Sequence, residues 1–213
     1  MLFRSHKLYY KMMIHTLMIV MAILGVAMAN YNSTLSLGSK DTTCICTTVP
    51  CPVSGANKLV EGAGGANIVY TYAMHAGHAV VTSAKGTITP ASLDNGSVTT
   101  SCTQEYSRLL DDDGVKDCDA GHILAHRLGG YGEDPINIFP QDSSINRGAY
   151  AQFEGKIYDC TKTAKTVNIS WKFTYTSTEH TKPTYVQYDA DFDSGDCAKD
   201  GLHEKFSNGA DHH

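Results

Sequence analysis

Apolar and polar positions alternate with a period of two in four short stretches of this chain, the pattern of strands that bury one face. Asn67-Ile68-Val69-Tyr70-Thr71-Tyr72-Ala73 and His78-Ala79-Val80-Val81-Thr82 predict a pair of strands joined by a turn from His75 to Gly77, and Thr87-Ile88-Thr89 extends the sheet. Thr166 to Ser177, TVNISWKFTYTS, and Thr184-Tyr185-Val186-Gln187-Tyr188-Asp189 are rich in β-branched and aromatic residues and predict two more. Between the two pairs the period changes. The cluster Asp142-Ser143-Ser144 offers side-chain oxygens to cap free amide groups, so a helix is expected to start there, with Asn146, Tyr150 and Glu154 on one face at steps of four. Runs of strands around one or two helices, without alternating βαβ units, predict an α+β fold with an antiparallel sheet core. No internal repeat, P-loop or dinucleotide fingerprint is present.

The two ends depart from this pattern. Residues 1–29 carry Arg4, Lys7 and Lys11, an apolar run from Leu17 to Val26 and then Ala27-Met28-Ala29, the layout of a secretory signal with a small-x-small cleavage site. The run is short of the roughly 20 residues a spanning helix needs, so cleavage before Asn30 and no stable membrane association afterwards are expected. Residues 30–57 read as an irregular, Cys-rich arm, and residues 58–213 as one domain whose tail is polar from about Ser194. Seven cysteines, Cys44, Cys46, Cys51, Cys102, Cys118, Cys160 and Cys197, all follow the cleavage site. On a secretory route they read as disulfide formers that stabilise the fold, at most three bridges with one cysteine left over. Spacing alone leaves the connectivity open, and the odd cysteine permits a linked dimer. Sequons at Asn32, Asn95 and Asn168 fit secretion from a eukaryotic source.

The chemistry concentrates between Asp119 and Glu154, DAGHILAHRLGGYGEDPINIFPQDSSINRGAYAQFE. Gly121 before His122 and Gly129-Gly130 after it predict tight backbone around the histidine, and Asn137-Ile138-Phe139-Pro140-Gln141 reads as an extended, partly buried connection that lets His122 face the helix across a cleft. A neutral imidazole opposite a hard cation held by oxygen ligands is a hydrolytic pair. The ring takes a proton from water near neutral pH while the cation offsets charge on a phosphorane. Magnesium suits few protein ligands because it keeps most of its waters. Taken singly, each residue has a plainer reading: His122 a hydrogen-bonded surface histidine, Asn146 a helix-start residue, Glu154 a solvated carboxylate, Tyr150 a packing residue. His122 and His126, four apart, would approach a zinc pair on a helix, but Ile123-Leu124-Ala125 lacks the glutamate of H-E-x-x-H.

Together, Asp119-Ala120-Gly121-His122, Asn137-Ile138-Phe139-Pro140-Gln141, Asn146-Arg147-Gly148-Ala149-Tyr150 and Glu154 resemble, in order, the elements of the DNA/RNA non-specific endonuclease family, which has a ββα-metal, or His-Me finger, active site. The resemblance implies His122 as the general base, Asn146 as the direct ligand of magnesium or manganese, Glu154 as a water-mediated metal anchor and Asn137 as a polar group organising the site. It implies DNA and RNA as substrates and cleavage to 5′-phosphate ends. Ala120 departs from the family's arginine and marks a DAGH-type subgroup. Arg127 and Arg147 are the candidates for the missing cation, Arg147 preferred as the neighbour of the metal ligand.

Charge pulls the other way. Without residues 1–29 the chain has 14 basic and 22 acidic residues, a net charge of −8, whereas nucleic-acid binders are usually basic. A local cationic groove suffices for cutting if the acidic groups Asp111-Asp112-Asp113 and Asp189, Asp191, Asp193, Asp196 lie on remote faces, with Lys116, Arg127, Arg147 and Lys156 near the motif. A site that reads only sugar and phosphate predicts weak sequence preference and strong salt sensitivity. The alternatives are a nuclease restricted to DNA or RNA, and a secreted binding module that keeps the fold without activity.

Overall fold

The strands named above assemble into one sheet because their apolar residues all point to the same side. The computed structural model describes residues 57–110 and 118–209. The leader, most of the Cys-rich arm, Asp111-Asp112-Asp113 and Lys116 lie outside the described residues. Six antiparallel strands run in the order β1 (Asn57–Glu61), β2 (Asn67–His75), β3 (His78–Ile88), β6 (Val167–Thr174), β7 (Tyr185–Phe192), β8 (Leu202–Ser207). The β2–β3 hairpin turns at Ala76 and Gly77, both with positive φ, a conformation glycine adopts without strain. One face of the sheet presents Ile68, Tyr70, Tyr72, Trp171, Tyr188 and Phe206 to the core.

The stretch after Ser194 is more than a polar tail. It supplies β8, whose Phe206 is buried opposite Val186 of β7. Its exposed partners His203, Glu204 and Lys205 diluted the strand pattern, as expected for an edge strand that keeps charge outward. Asp189 and Asp191 alternate with the buried Tyr188 and Ala190 along β7. They therefore point to the opposite face of the sheet from the core, where both pair with His203.

A separate two-stranded ribbon, β4 (Cys118–His122) and β5 (Ile138–Asp142), runs antiparallel with His122 opposite Ile138 and Ala120 opposite Pro140. A helical stretch leaves it at Ser143, capped by Asp142, which accepts from the amides of Ser144 and Ile145. This is not one regular helix. Residues Asn146–Tyr150 form a π-type turn with Gly148 at φ −107°, ψ −108°, and only then does α2 (Ala151–Thr161) begin. The kink corrects the expected single face at steps of four. Tyr150 turns into the core against Tyr188 and Phe206, while Asn146 stays half-buried beside β4. Phe153 and Ile157 of α2 complete the seam with the sheet, each burial contributing about 2–3 kcal/mol.

A further helix, α1 (Ser101–Leu109), was not legible from periodicity, because Tyr106 is its only fully buried hydrophobic side chain. Its signal is the cap: Thr100 and Thr103 satisfy each other's backbone amides. Cys160, on the last turn of α2, bridges Cys197 across 37 residues, and Cys102 is disulfide-bonded as well. Closing a loop of that length stabilises the fold by about 2–4 kcal/mol, mainly by restricting the unfolded chain.

Candidate active site

Strand pairing puts His122 at the end of β4 and aims the chain after it into a tight loop. Gly121 is required by contact, since a Cβ there would stand 2.2 Å from Oε1 of the buried Gln141. Past His122 the backbone is held by Asn137. This side chain is fully buried; its Oδ1 accepts from the Leu124 amide at 2.8 Å and from the Tyr70 hydroxyl at 3.0 Å. Its Nδ2 donates to the carbonyls of Leu124 and Tyr131 at 2.9 and 3.2 Å. All four hydrogen-bonding positions of the amide are thus committed to the scaffold. Asn137 acts from beneath the site and has nothing left with which to touch a substrate.

His122 is fixed on its other side. Its Nε2 lies 3.3 Å from the Ser97 carbonyl oxygen, which only accepts, so the proton resides on Nε2 and Nδ1 carries the lone pair. Burial lowers the pKa of the ring below its ordinary 6.5, the Ser97 carbonyl works against this and the neighbouring His126 adds to it. The imidazole is neutral at neutral pH. Gly132 stands directly behind the ring: a Cβ there would come within 2.5 Å of His122 Nε2 and 2.6 Å of the Ser97 oxygen. Gly132→Ala is therefore expected to push the imidazole off the carbonyl and to destabilise the fold by about 1–3 kcal/mol. Steady-state kinetics with thermal melts check this, the expected sign being a fall in kcat with KM little changed.

Opposite His122 stands Glu154 on α2. The two line one cavity of about 200 Å³ together with His126, Arg127, Gly155 and Tyr158. Glu154 is half-buried as a residue, but its Oε1 is buried and has no hydrogen-bond partner. Burial alone raises its pKa to about 8, because desolvation disfavours the charged form. His126 is exposed, with its ring centroid 5.9 Å from that of His122. The two are not on an α-helix, and among the described residues no cluster of three or more His, Cys, Asp or Glu forms a metal cage.

Asn146 does not line this cavity. It is bound to β4, donating from Nδ2 to Asp119 at 2.9 Å. Partial burial of Asp119 works against its ionisation, but hydrogen bonds from Arg147 and Asn146 outweigh it and hold the pKa below the ordinary carboxylate value. An ionised carboxylate only accepts, so Asn146 must turn its amide nitrogen to Asp119, which leaves Oδ1 as its outward group. Asp119, to which the sequence assigns no role of its own, thus orients Asn146. Arg147 is anchored there too, by Nε at 2.8 Å and a terminal nitrogen at 2.6 Å. It is absent from the cavity wall that Arg127 shares.

The family is shown by its sequence model. Residues 65–194 match the model of the DNA/RNA non-specific endonuclease family. The chain is 40% identical over 115 residues to "Probable deoxyribonuclease RhsA" of Dickeya dadantii (strain 3937); the match covers 54% of this chain and 8% of that protein. Among solved structures, EndoG in the EndoG/EndoGI complex overlaps 75% of this chain and 76% of its own at 15% identity and TM-score 0.47. Metal-free NucA from Streptococcus agalactiae overlaps 83% and 92% at 10% identity and TM-score 0.45. With a matched family model spanning well over half its length, the four ordered motif elements and a ββα unit that carries them, the chain belongs to the DNA/RNA non-specific endonuclease family.

Proposed function

We propose that this chain is a secreted endonuclease that hydrolyses phosphodiester bonds of DNA and RNA with a divalent cation, magnesium or manganese, and leaves 5′-phosphate ends. The observation that carries the reading is the pairing, across one cavity, of a tautomer-fixed neutral imidazole with a buried carboxylate oxygen that lacks a partner. The name of the bacterial relative, a deoxyribonuclease, supports DNA as a substrate. Secretion rests on the leader-like residues 1–29 and on the Cys160–Cys197 bridge, which persists in oxidising compartments.

The residues present fit a hard cation. Glu154 offers the cavity a carboxylate oxygen that burial holds protonated until positive charge arrives, and Asn146, which lies outside the cavity lining, would bring its Asp119-oriented amide oxygen to the same ion from beside β4. When bound, such a cation would offset the negative charge that builds on the phosphate oxygens. Everything else falls to the chain itself. His122 Nδ1 takes a proton from a water molecule, whose oxygen forms the new bond to phosphorus as the bond to the 3′-oxygen breaks, and that oxygen leaves with a proton from solvent. The Ser97 carbonyl stabilises the imidazolium that results, because Nε2–H already donates to it. Asn137 keeps the loop from Leu124 to Tyr131 in place while this happens.

The test uses the oxidised protein on plasmid DNA and on single-stranded RNA at low salt, with magnesium or with EDTA. Cutting of both substrates is expected in magnesium alone, and end-labelling is expected to find phosphate on the 5′ side. Cutting of one sugar type only would narrow the substrate to that nucleic acid. Binding without cutting by folded protein would leave an inactive binding module, the reading motivated by Ala120 and the acidic balance.

A further inference from the structure

We infer that Arg127, whose guanidinium lies over the Tyr158 ring, is the residue of this chain that grips the substrate phosphate, in place of the arginine that Ala120 lacks. The inference rests on the nuclease reading and adds to it an anion subsite built from residues of a different loop and of α2.

The backbone that presents Arg127 is rigid. It lies in a single 3-10 turn, His126–Leu128, pinned by the buried Leu128 and closed by Gly129 at φ +102°. The Arg127 carbonyl accepts from the Asp94 amide at 2.9 Å, and the His126 carbonyl from the amides of Gly96 and Gly129 at 3.1 Å each. The side chain is about half exposed, and its guanidinium carbon sits 4.0 Å from the centre of the Tyr158 ring. Stacking of this kind restricts the rotamers of a long side chain and leaves the edge of the fork available for a planar, two-bond contact with an anion.

The ring below is itself held, since the Tyr158 hydroxyl donates to Asp94 at 2.5 Å. Asp94 approaches Arg127 Nε only to 3.8 Å, beyond hydrogen-bond distance. A phosphate therefore does not have to break a tight internal ion pair to reach the guanidinium. Arg147 is in the opposite situation, held in a two-bond ion pair with Asp119 that an anion would have to compete with. Lys162 also stacks on Tyr158, at 4.6 Å, but it is paired to Asp159 and does not line the cavity.

Location completes the case. Arg127 shares the cavity wall with His122 and Glu154, so an anion seated there is close to both the base and the carboxylate. Gly155 forms the wall between Glu154 and Tyr158, and nothing lies within 4 Å of where its Cβ would be. A glycine inside a helix costs about 1 kcal/mol against alanine. No neighbour within the chain demands it, and it leaves the wall low where a sugar-phosphate backbone would pass. In a protein of net charge −8 after leader removal, one fixed cation beside the base supplies locally what the overall charge denies.

The experiment compares Arg127→Ala, Arg127→Lys and, as a charge-matched control on the solvent face of the sheet, Lys172→Ala. Plasmid cutting is measured in magnesium, and folding is checked by thermal melts. Expected are a loss in kcat/KM of about 10²-fold for Arg127→Ala, a smaller loss of about tenfold for Arg127→Lys, which keeps charge but not the fork, and a change under about twofold for Lys172→Ala. In parallel, a fluorescent DNA oligonucleotide is titrated with His122→Ala protein with and without Arg127→Ala. Removing the arginine should weaken binding and reduce the slope of log affinity against log salt by about one. Full kcat/KM in folded Arg127→Ala, or an unchanged salt slope, overturns the inference. If the wild type cuts nothing yet the slope still falls by one, the anion subsite stands and the nuclease reading falls.

Discussion

Replacing His122 by alanine should lower kcat on plasmid DNA by about 10³-fold at saturating magnesium and neutral pH, the magnitude expected for loss of a positioned general base. Substrate affinity should change little, because the ring is half-buried and touches the chain through one hydrogen bond, to the Ser97 carbonyl. The pH dependence carries the sharper signature. Only the neutral ring accepts a proton, so activity is present above the His122 pKa and is lost as pH falls through it. Burial, aided by His126 and opposed by the Ser97 carbonyl, puts that pKa below the ordinary 6.5. The acid limb of the wild-type kcat profile is thus expected below pH 6.5, and the residual activity of His122→Ala should lack it. Saturating cation is essential, because Glu154 has a pKa of about 8 before any cation binds, and weak cation binding at low pH would imitate the limb. A variant that keeps the limb would assign the base to another group.

The second large effect concerns stability. Asn137→Ala removes a hydrogen-bond partner of four groups at once: the buried Leu124 amide and carbonyl and Tyr70 hydroxyl, and the part-buried Tyr131 carbonyl. Each orphaned group costs about 1–3 kcal/mol, so a loss of at least about 3 kcal/mol is expected, a large share of the roughly 5–15 kcal/mol that holds a domain together. For a domain of this size that lowers the melting temperature by roughly 6–12 °C. Activity should fall with it, since the loop from Leu124 to Tyr131 carries His126 and Arg127. Differential scanning calorimetry beside kcat measured well below the melt separates the two roles. A variant that melts like wild type but has lost kcat would make Asn137 a group that meets the reacting atoms.

The two expectations draw on the same segment in different ways. On the proposed reading His122 acts through one ring nitrogen, and the sequence singles it out because Gly121, the P-Q pair and the Asn-x-Gly run stand at ordered distances around it. Asn137 belongs to the same pattern, but a sequence records only its type. That its amide is turned inward with every position satisfied depends on Tyr70, 67 residues earlier on β2. Motif residues that brace and motif residues that react look alike until their partners are placed.

Local pattern determined much of the scaffold. The β2–β3 hairpin, β6, β7 and the capped start at Ser143 follow from alternation, turn residues and a side-chain cap, all of which act over a few residues. β8 escaped because an edge strand buries one apolar side chain, Phe206, and shows charge elsewhere. α1 escaped for lack of an apolar stripe. The π-type turn at Gly148 escaped because nothing in NRGAY distinguishes it from an ordinary helical turn; it forms where Tyr150 must reach the core while Asn146 reaches Asp119.

By itself, then, the sequence determined the reaction class, because a base, an amide and a carboxylate in order are chemistry that local spacing can carry. Only the tertiary structure shows which atom of each is left facing outward: Nδ1 of His122, because the Ser97 carbonyl holds Nε2; Oδ1 of Asn146, because Asp119 holds the amide nitrogen; and the guanidinium of Arg127, which is stacked in the cavity wall while that of Arg147 is paired with Asp119. Hydrogen-bond donors and ion pairs are satisfied by whatever lies nearest in space, and those partners stand 25 to 31 residues away along the chain.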